Sequence, residues 1–171
     1  DTHCNVEGNL GFAGVAAYKA DKLLETDYVT LVDAGDAIQG DVIGALSKGD
    51  YIIDIMNAAG YDIAIPGNHE FDFGMDTFLT LVSKANATYI SANFLGSDGK
   101  SVFKPYEMKT YGDKKVAFVG ISTPESITKS TPVFFQDENG NYIYSFCDGN
   151  NGKDLYDAVQ NAVDDAKAAG A

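Results

Sequence analysis

The chain of 171 residues contains no arginine and no tryptophan, and it has only two histidines and two cysteines. Nucleic acids are held by clustered Lys and Arg, so a chain with a net charge of −13 and no Arg is expected not to bind polymeric nucleic acid. The absence of Arg also removes the usual bidentate clamp for phosphate. Any phosphate chemistry must therefore take its positive charge from another source, and a metal ion is the obvious candidate.

Long apolar runs are also absent. No run approaches the ~18 residues that would span a bilayer, so we expect no membrane span in this segment. The sequence begins at Asp1 without a charged and then apolar leader, so it carries no visible signal peptide. The cysteines, Cys4 and Cys147, match no zinc-finger spacing, and the sequence leaves open whether they pair.

The apolar pattern predicts helices and strands that alternate along the chain. Helices are predicted over residues 11–25, around 52–60, over 75–84 and over 152–169; buried strands are predicted over 28–33, 62–66, 88–92 and 115–121. The segment 123–152 contains Asn139-Gly140, a hairpin-turn signal flanked by aromatic pairs, and it is predicted to form a hairpin or an ordered insertion. This alternation predicts an α/β fold with a largely parallel sheet.

Three loops carry the polar residues that could do chemistry. They contain Asp1-Thr2-His3, Gly35-Asp36, and Gly67-Asn68-His69-Glu70 with Asp72 close behind. In such sheets ligands bind beyond the carboxyl ends of the strands, and an Asp-x-His pair at a strand end has both side chains on one face. Carboxylate, imidazole and amide ligands suit Zn²⁺, Mn²⁺ or Fe. Each cluster alone is a weak signal, but the three together predict a metal site.

With these motifs in place, the sequence resembles the calcineurin-like metallophosphoesterases, and within them the bacterial 5′-nucleotidase and 2′,3′-cyclic-nucleotide phosphodiesterase group. The resemblance rests on DTH (1–3), GDAIQG (35–40), PGNHEFDFG (66–74), SANF (91–94), FKPY (103–106) and VAFVGISTPES (116–126). It implies the first half of a four-layer αββα sandwich, with a mixed sheet flanked by helices. Residues 1–171 would form a partial catalytic domain, without the later metal-ligand histidines and the substrate-binding C-terminal domain.

The resemblance implies a site for two divalent metal ions, which could be Zn, Mn or Fe. Asp1 and His3 would bind the first metal, and Asp36 would bridge both. Asn68 would bind the second metal and lie near the phosphate of the substrate.

The resemblance also implies a catalytic pair. His69 would contact the substrate and stabilise the transition state or protonate the leaving oxygen, and Asp72 would hold its imidazole in one tautomer. Glu70 and Phe71 are expected to be structural. Cys4 stands where Gly or Ser is usual in the family.

The implied substrate is a nucleotide or another small phosphoester, and the implied location is extracellular, periplasmic or on the surface of a bacterium. Family members supply three further histidines to the metals, whereas this chain has only His3 and His69. The alternative is therefore a folded but inactive binding or scaffold unit that holds at most one weak metal. Hydrolysis of a sulfur-linked substrate is a third option, which no feature of the sequence favours.

Overall fold

The computed structural model of the chain describes residues 1–8 and 10–171. The helices are α1 (Gly11–Glu25), α2 (Val42–Ser47), α3 (Asp50–Ala59), α4 (Met75–Lys84), α5 (Ser126–Lys129) and α6 (Lys153–Ala168). The strands are β1 (Val32–Asp33), β2 (Ile63–Ala64), β3 (Thr88–Tyr89), β4 (Tyr106–Tyr111) and β5 (Lys114–Val119). Short 3₁₀ turns cover His69–Phe71, Pro132–Phe135 and Asn150–Gly152.

The strands form two sheets. β1, β2 and β3 are parallel and lie in that order, with Ile63 opposite Val32 on one side and Thr88 on the other. β4 and β5 form a separate antiparallel pair. The predicted α/β class, with both parallel and antiparallel strands, is confirmed. The prediction of one largely parallel sheet was wrong for residues 115–121, because that segment pairs with β4, a strand that the apolar pattern did not predict.

The parallel strands are shorter than predicted. The segments 28–33, 62–66 and 88–92 each keep only two residues of regular ladder. The first was also wrongly predicted to be buried, since Val32 is 42% exposed and Tyr28 is 54% exposed. The physical reason is position: within residues 1–8 and 10–171, β1 has a neighbouring strand on one side only.

The predicted helices are confirmed with small changes at their ends. α1 and α4 have the predicted bounds, and α6 is one residue shorter at each end. Gly60 ends α3 in the left-handed conformation (φ 78°), as a C-capping glycine does. The predicted apolar face of α1 was wrong in its second half, where Leu23 and Leu24 are exposed and only Phe12 of the helix is buried.

The core is built around one aromatic ring. Phe71 is fully buried, and four other phenylalanine rings have centroids 5.0–5.7 Å away: Phe78, Phe94, Phe135 and Phe146. Because Phe71 belongs to the loop that also carries His69 and Asp72, that loop is held in the core. Its polar residues therefore lie on a rigid support.

The segment around Asn139-Gly140 is an ordered insertion and not a regular hairpin. Its two arms make a single antiparallel bridge, between Gln136 and Tyr142. Asp137 closes the turn, because its Oδ1 accepts the backbone N–H groups of Asn139 and Asn141 at 2.9 Å. The insertion is tied to the core through Phe135 and Phe146, which lie on either side of this turn in sequence.

The sequence left open whether the two cysteines pair. Both are free thiols, and Cys4 is buried. No helix in the described ranges is both long enough and apolar enough to cross a bilayer. The expectation that residues 1–171 form part of a larger catalytic domain stays a prediction.

Candidate metal centre

The three loops singled out in the sequence meet at Asp36. Asp36 follows β1, and its Oδ1 accepts the backbone N–H of His69, from the loop after β2, at 2.8 Å. The third loop contacts the same turn, because the N–H of His3 donates to the carbonyl of Asp36 at 2.9 Å. Asp1 and His3 lie in an irregular turn and not at a strand end, so the strand geometry proposed for that pair was wrong. Their side chains nevertheless contact each other.

Glycine makes this close approach possible. A Cβ built on Gly67 would lie 2.7 Å from the backbone nitrogen of Asp36 and closer still to its Oδ1. Real Cβ atoms essentially never lie closer than 3.0 Å to such a neighbour. Only a residue without a side chain therefore lets the loop after β2 approach the Asp36 carboxylate so closely.

His3 is arranged as a metal-binding histidine would be. Its Nδ1 lies 3.1 Å from the carbonyl oxygen of Gln39, and its Nε2 lies 2.8 Å from Oδ1 of Asp1. With Nδ1–H donating to the carbonyl, the Nε2 lone pair faces a carboxylate oxygen. Two electron-rich atoms at that distance need a proton or a cation beside them. A backbone carbonyl on the second ring nitrogen is also the usual support of a metal-bound histidine.

His69 and Asp72 form the predicted pair. His69 Nδ1 lies 2.6 Å from Oδ2 of Asp72. In the neutral imidazole this fixes the proton on Nδ1 and leaves Nε2 as the acceptor. The His69 ring packs edge-on against the His3 ring, with centroids 4.9 Å apart. The two histidines of the chain therefore lie against each other, and the backbone N–H of each bonds to Asp36.

Buried Glu70 connects the Asp36 turn to the loop after β2 by hydrogen bonds. It is 1% exposed, and its carboxylate accepts the N–H groups of Asp36 and Gly67 at 2.7 Å and of Ala37 at 2.8 Å. Burial and the charge of nearby Asp33 raise the pKa of Glu70 to about 7, against the opposing effect of these N–H groups. Glu70 thereby holds the Asp36 turn and the loop after β2 together, which is a structural role of the kind expected.

The donor set fits a small divalent cation. Ligand atoms of His3, Asp36 and His69 all lie within 4.8 Å of one another, and imidazole with carboxylate suits Zn²⁺, Mn²⁺ or Fe. His69 thus belongs to the possible ligand group, whereas the resemblance assigns it to catalysis. Asn68, a predicted ligand, directly precedes it at the start of the 3₁₀ turn.

The site opens to solvent. A cleft of about 510 Å³ is lined by Asp1, His3, Gly40 and Asp41, among others. No lysine in the described ranges forms an ion pair with Asp36 or Glu70. A larger cavity of about 680 Å³ nearby is lined by the largely apolar α2 and residues 4–8, and it includes none of the predicted site residues.

One residue at the site was missed in the sequence. Ser130 donates from Oγ to Oδ1 of Asp72 at 2.8 Å, although 58 positions separate the two residues. It lies in no motif and in no apolar pattern, so the sequence offered no signal for it.

The chain is similar in sequence to several 5′-nucleotidases. It is 34% identical over 161 residues to a snake venom 5′-nucleotidase from Gloydius brevicauda, a match that covers 81% of this chain and 27% of the relative. It is 34% identical over 136 residues to an NAD 5′-nucleotidase from Haemophilus influenzae, covering 75% of this chain and 22% of the relative. No family model matches the chain.

The fold comparison agrees. The calcineurin-like phosphoesterase YfkN from Bacillus subtilis superposes with a TM-score of 0.78 at 25% identity, covering all of this chain and 57% of the other. This chain spans only 21–27% of the length of the first curated relatives that it matches.

Proposed function

This chain belongs to the calcineurin-like phosphoesterases, in the group that includes the 5′-nucleotidases, and we propose that it takes part in metal-dependent hydrolysis of nucleotide phosphoesters. The observation that carries the proposal is the meeting of His3, Asp36 and His69. These residues come from three loops far apart in sequence, and their donor atoms suit a divalent cation.

The proposed metal ligands are Asp1 and His3 for one ion, Asp36 as a bridge, and Asn68 for a second ion. The 2.8 Å approach of His3 Nε2 to the Asp1 carboxylate supports the first pair. A divalent cation, whether Zn, Mn or Fe, would supply the positive charge that offsets a phosphoryl group and would make water a stronger nucleophile near neutral pH. The chain has no arginine to supply that charge itself.

His69 is the proposed acid. Asp72 holds the proton on Nδ1, so Nε2 is the atom available to donate a proton to the leaving oxygen or to contact the phosphoryl group. Asp72 keeps the ring oriented, because its Oδ2 lies 2.6 Å from Nδ1 of His69. The backbone N–H of His69 bonds to Asp36, which keeps the acid beside the proposed metal ligands.

The proposed substrate is a nucleotide or another small phosphoester, and the residues here are proposed to supply about half of the metal site. The nucleotidase names of the relatives support the substrate class. A relative from snake venom agrees with a location outside the cytoplasm, at the cell surface or in the periplasm. The expected absence of polynucleotide binding stays a prediction.

Phosphatase assays test the proposal. AMP and p-nitrophenyl phosphate are supplied with Mn²⁺ or Zn²⁺ to this chain and to a longer polypeptide that contains it. Turnover by the longer polypeptide, lost on Asp36→Asn, is the expected result. Turnover confined to the longer polypeptide would support the view that this chain alone is a folded but inactive unit. Absence of turnover in both would refute the enzymatic proposal.

A further inference from the structure

Asp72 has a second partner besides His69. Its Oδ2 faces Nδ1 of His69 at 2.6 Å, and its Oδ1 accepts a hydrogen bond from Oγ of Ser130 at 2.8 Å. Both carboxylate oxygens are therefore engaged, each by a different segment of the chain. The three side chains form a continuous line of hydrogen bonds that ends at the free Nε2 of His69.

Ser130 is itself held in place on both sides. It directly follows α5, and its N–H donates to the carbonyl of Ser126 at 3.0 Å. Ser126 is fully buried, and its Oγ donates to the carbonyl of Thr123 at 2.7 Å. On the other side, the 3₁₀ turn Pro132–Phe135 places Phe135 in the core, 5.0 Å from Phe71. The hydroxyl of Ser130 is thus presented from a fixed backbone.

The second hydrogen bond restricts the carboxylate. A carboxylate with one partner can rotate about its Cβ–Cγ bond, because that terminal torsion has a broad energy profile. A donor on Oδ1 fixes the plane of the group and so fixes the direction of Oδ2. Oδ2 in turn fixes the tautomer and the orientation of the His69 ring.

We propose that Ser130 is a positioning residue that orients His69 through Asp72. The proposal deepens the proposed function, on which its catalytic meaning rests, but the orientation of His69 can be measured without any turnover. Ser130 lies outside the sequence motifs that carry the family resemblance. Its segment, the ordered insertion after β5, thereby acquires a role at the site beyond filling the core.

The chain has only two histidines, which makes a direct spectroscopic test possible. The 171-residue chain is labelled with ¹⁵N-histidine and kept in EDTA, at a pH above which the ring signals no longer change with pH. Two-bond ¹H–¹⁵N correlations then report the tautomer of each ring, and the His3→Asn variant identifies the His69 signals. In the unmodified chain we expect His69 to carry its proton on Nδ1.

Ser130→Ala should lower the ratio of the Nδ1–H to the Nε2–H tautomer of His69 by about three- to tenfold, the change that corresponds to one ordinary hydrogen bond. The His3 signals should stay in place. Ser130→Thr keeps the hydroxyl and should restore the original ratio. Thr128→Ala is the matched control, since the Thr128 hydroxyl donates to the carbonyl of Glu125, the N-cap residue of α5, and not to Asp72.

Three outcomes would overturn the proposal. One is a His69 tautomer that does not respond to Ser130→Ala while only the unfolding midpoint falls, which would make Ser130 a helix-ending residue and nothing more. Another is an equal response to Thr128→Ala, which would show that loosening of α5 is the cause. The third is a ratio that Ser130→Thr fails to restore although the variant folds. If the phosphatase assay fails, the tautomer ratio of His69 can still be interpreted, because it is measured without metal or substrate.

Discussion

The contact between Gly67 and Asp36 yields the sharpest quantitative prediction. Gly67→Ala adds one methyl group, and that methyl would lie 2.7 Å from the backbone nitrogen of Asp36. The two atoms must separate by about 0.8 Å to reach an ordinary distance of about 3.5 Å. The backbone of Gly67 does not adopt the left-handed conformation, so the effect is steric and not one of backbone strain.

The displacement has two costs that can be worked out. Forcing a methyl group into a filled space costs about 1–3 kcal/mol. Loss of the hydrogen bond from the N–H of His69 to Asp36 costs about 0.5–1.5 kcal/mol more. We therefore expect Gly67→Ala to lower the free energy of unfolding by about 2–4 kcal/mol. Metal ligands must stay within about 0.2 Å of their ideal distances, so Mn²⁺ affinity should fall by about tenfold to a hundredfold.

Urea unfolding in EDTA measures the first effect, and calorimetric titration with Mn²⁺ measures the second. Gly96→Ala is the matched control, because a Cβ there meets its nearest neighbour, Oδ1 of Asp98, at 3.6 Å. That variant should change stability and affinity little. If Gly67→Ala has the same free energy of unfolding and the same Mn²⁺ affinity as Gly96→Ala, the two loops are not in close contact and the prediction is wrong.

Three further predictions concern charge and proton transfer. In EDTA, the free energy of unfolding should fall by on the order of 3 kcal/mol as the pH rises from about 4.5 to 7, because the folded chain holds a proton on Glu70 (pKa about 7) that the unfolded chain releases. Glu70→Gln should remove this pH dependence and the exposed Glu138→Gln should not; equal slopes would argue against a raised pKa. Asp36→Asn should weaken Mn²⁺ binding at least about tenfold in calorimetry, and unchanged affinity would exclude it as a ligand. His69→Asn in an active polypeptide should lower kcat by about 10²–10⁴-fold with Mn²⁺ affinity nearly kept; loss of Mn²⁺ binding instead would make His69 a ligand.

Much of the site could be predicted from the sequence because its residues follow local patterns. Two of the loops come after apolar segments that form parallel strands. Gly35-Asp36 follows β1, and the tetrapeptide that contains His69 follows β2. Parallel strands bring their carboxyl ends to one edge of a sheet, so the meeting of these loops follows from the fold class alone. The pairing of His69 with Asp72 is equally local, since the residues lie three positions apart within one short turn.

The rest depends on contacts between distant segments, which local patterns do not encode. Ser130 reaches Asp72 across 58 positions only because Phe135 and Phe146 pack the insertion onto Phe71. The segment 115–121 reads as a buried strand, yet it pairs with β4, and Val116 remains 40% exposed. Apolar character alone could not tell a central strand from one arm of an antiparallel pair.

The central claim is that His3 and Asp36 bind one divalent cation at the junction of the loops. Anomalous diffraction at the zinc edge, from crystals of this chain grown with Zn²⁺, tests it most directly. We expect a peak about 2.0–2.2 Å from both Nε2 of His3 and a carboxylate oxygen of Asp36. A Zn²⁺ peak bound elsewhere, with these two side chains left unliganded, would contradict it.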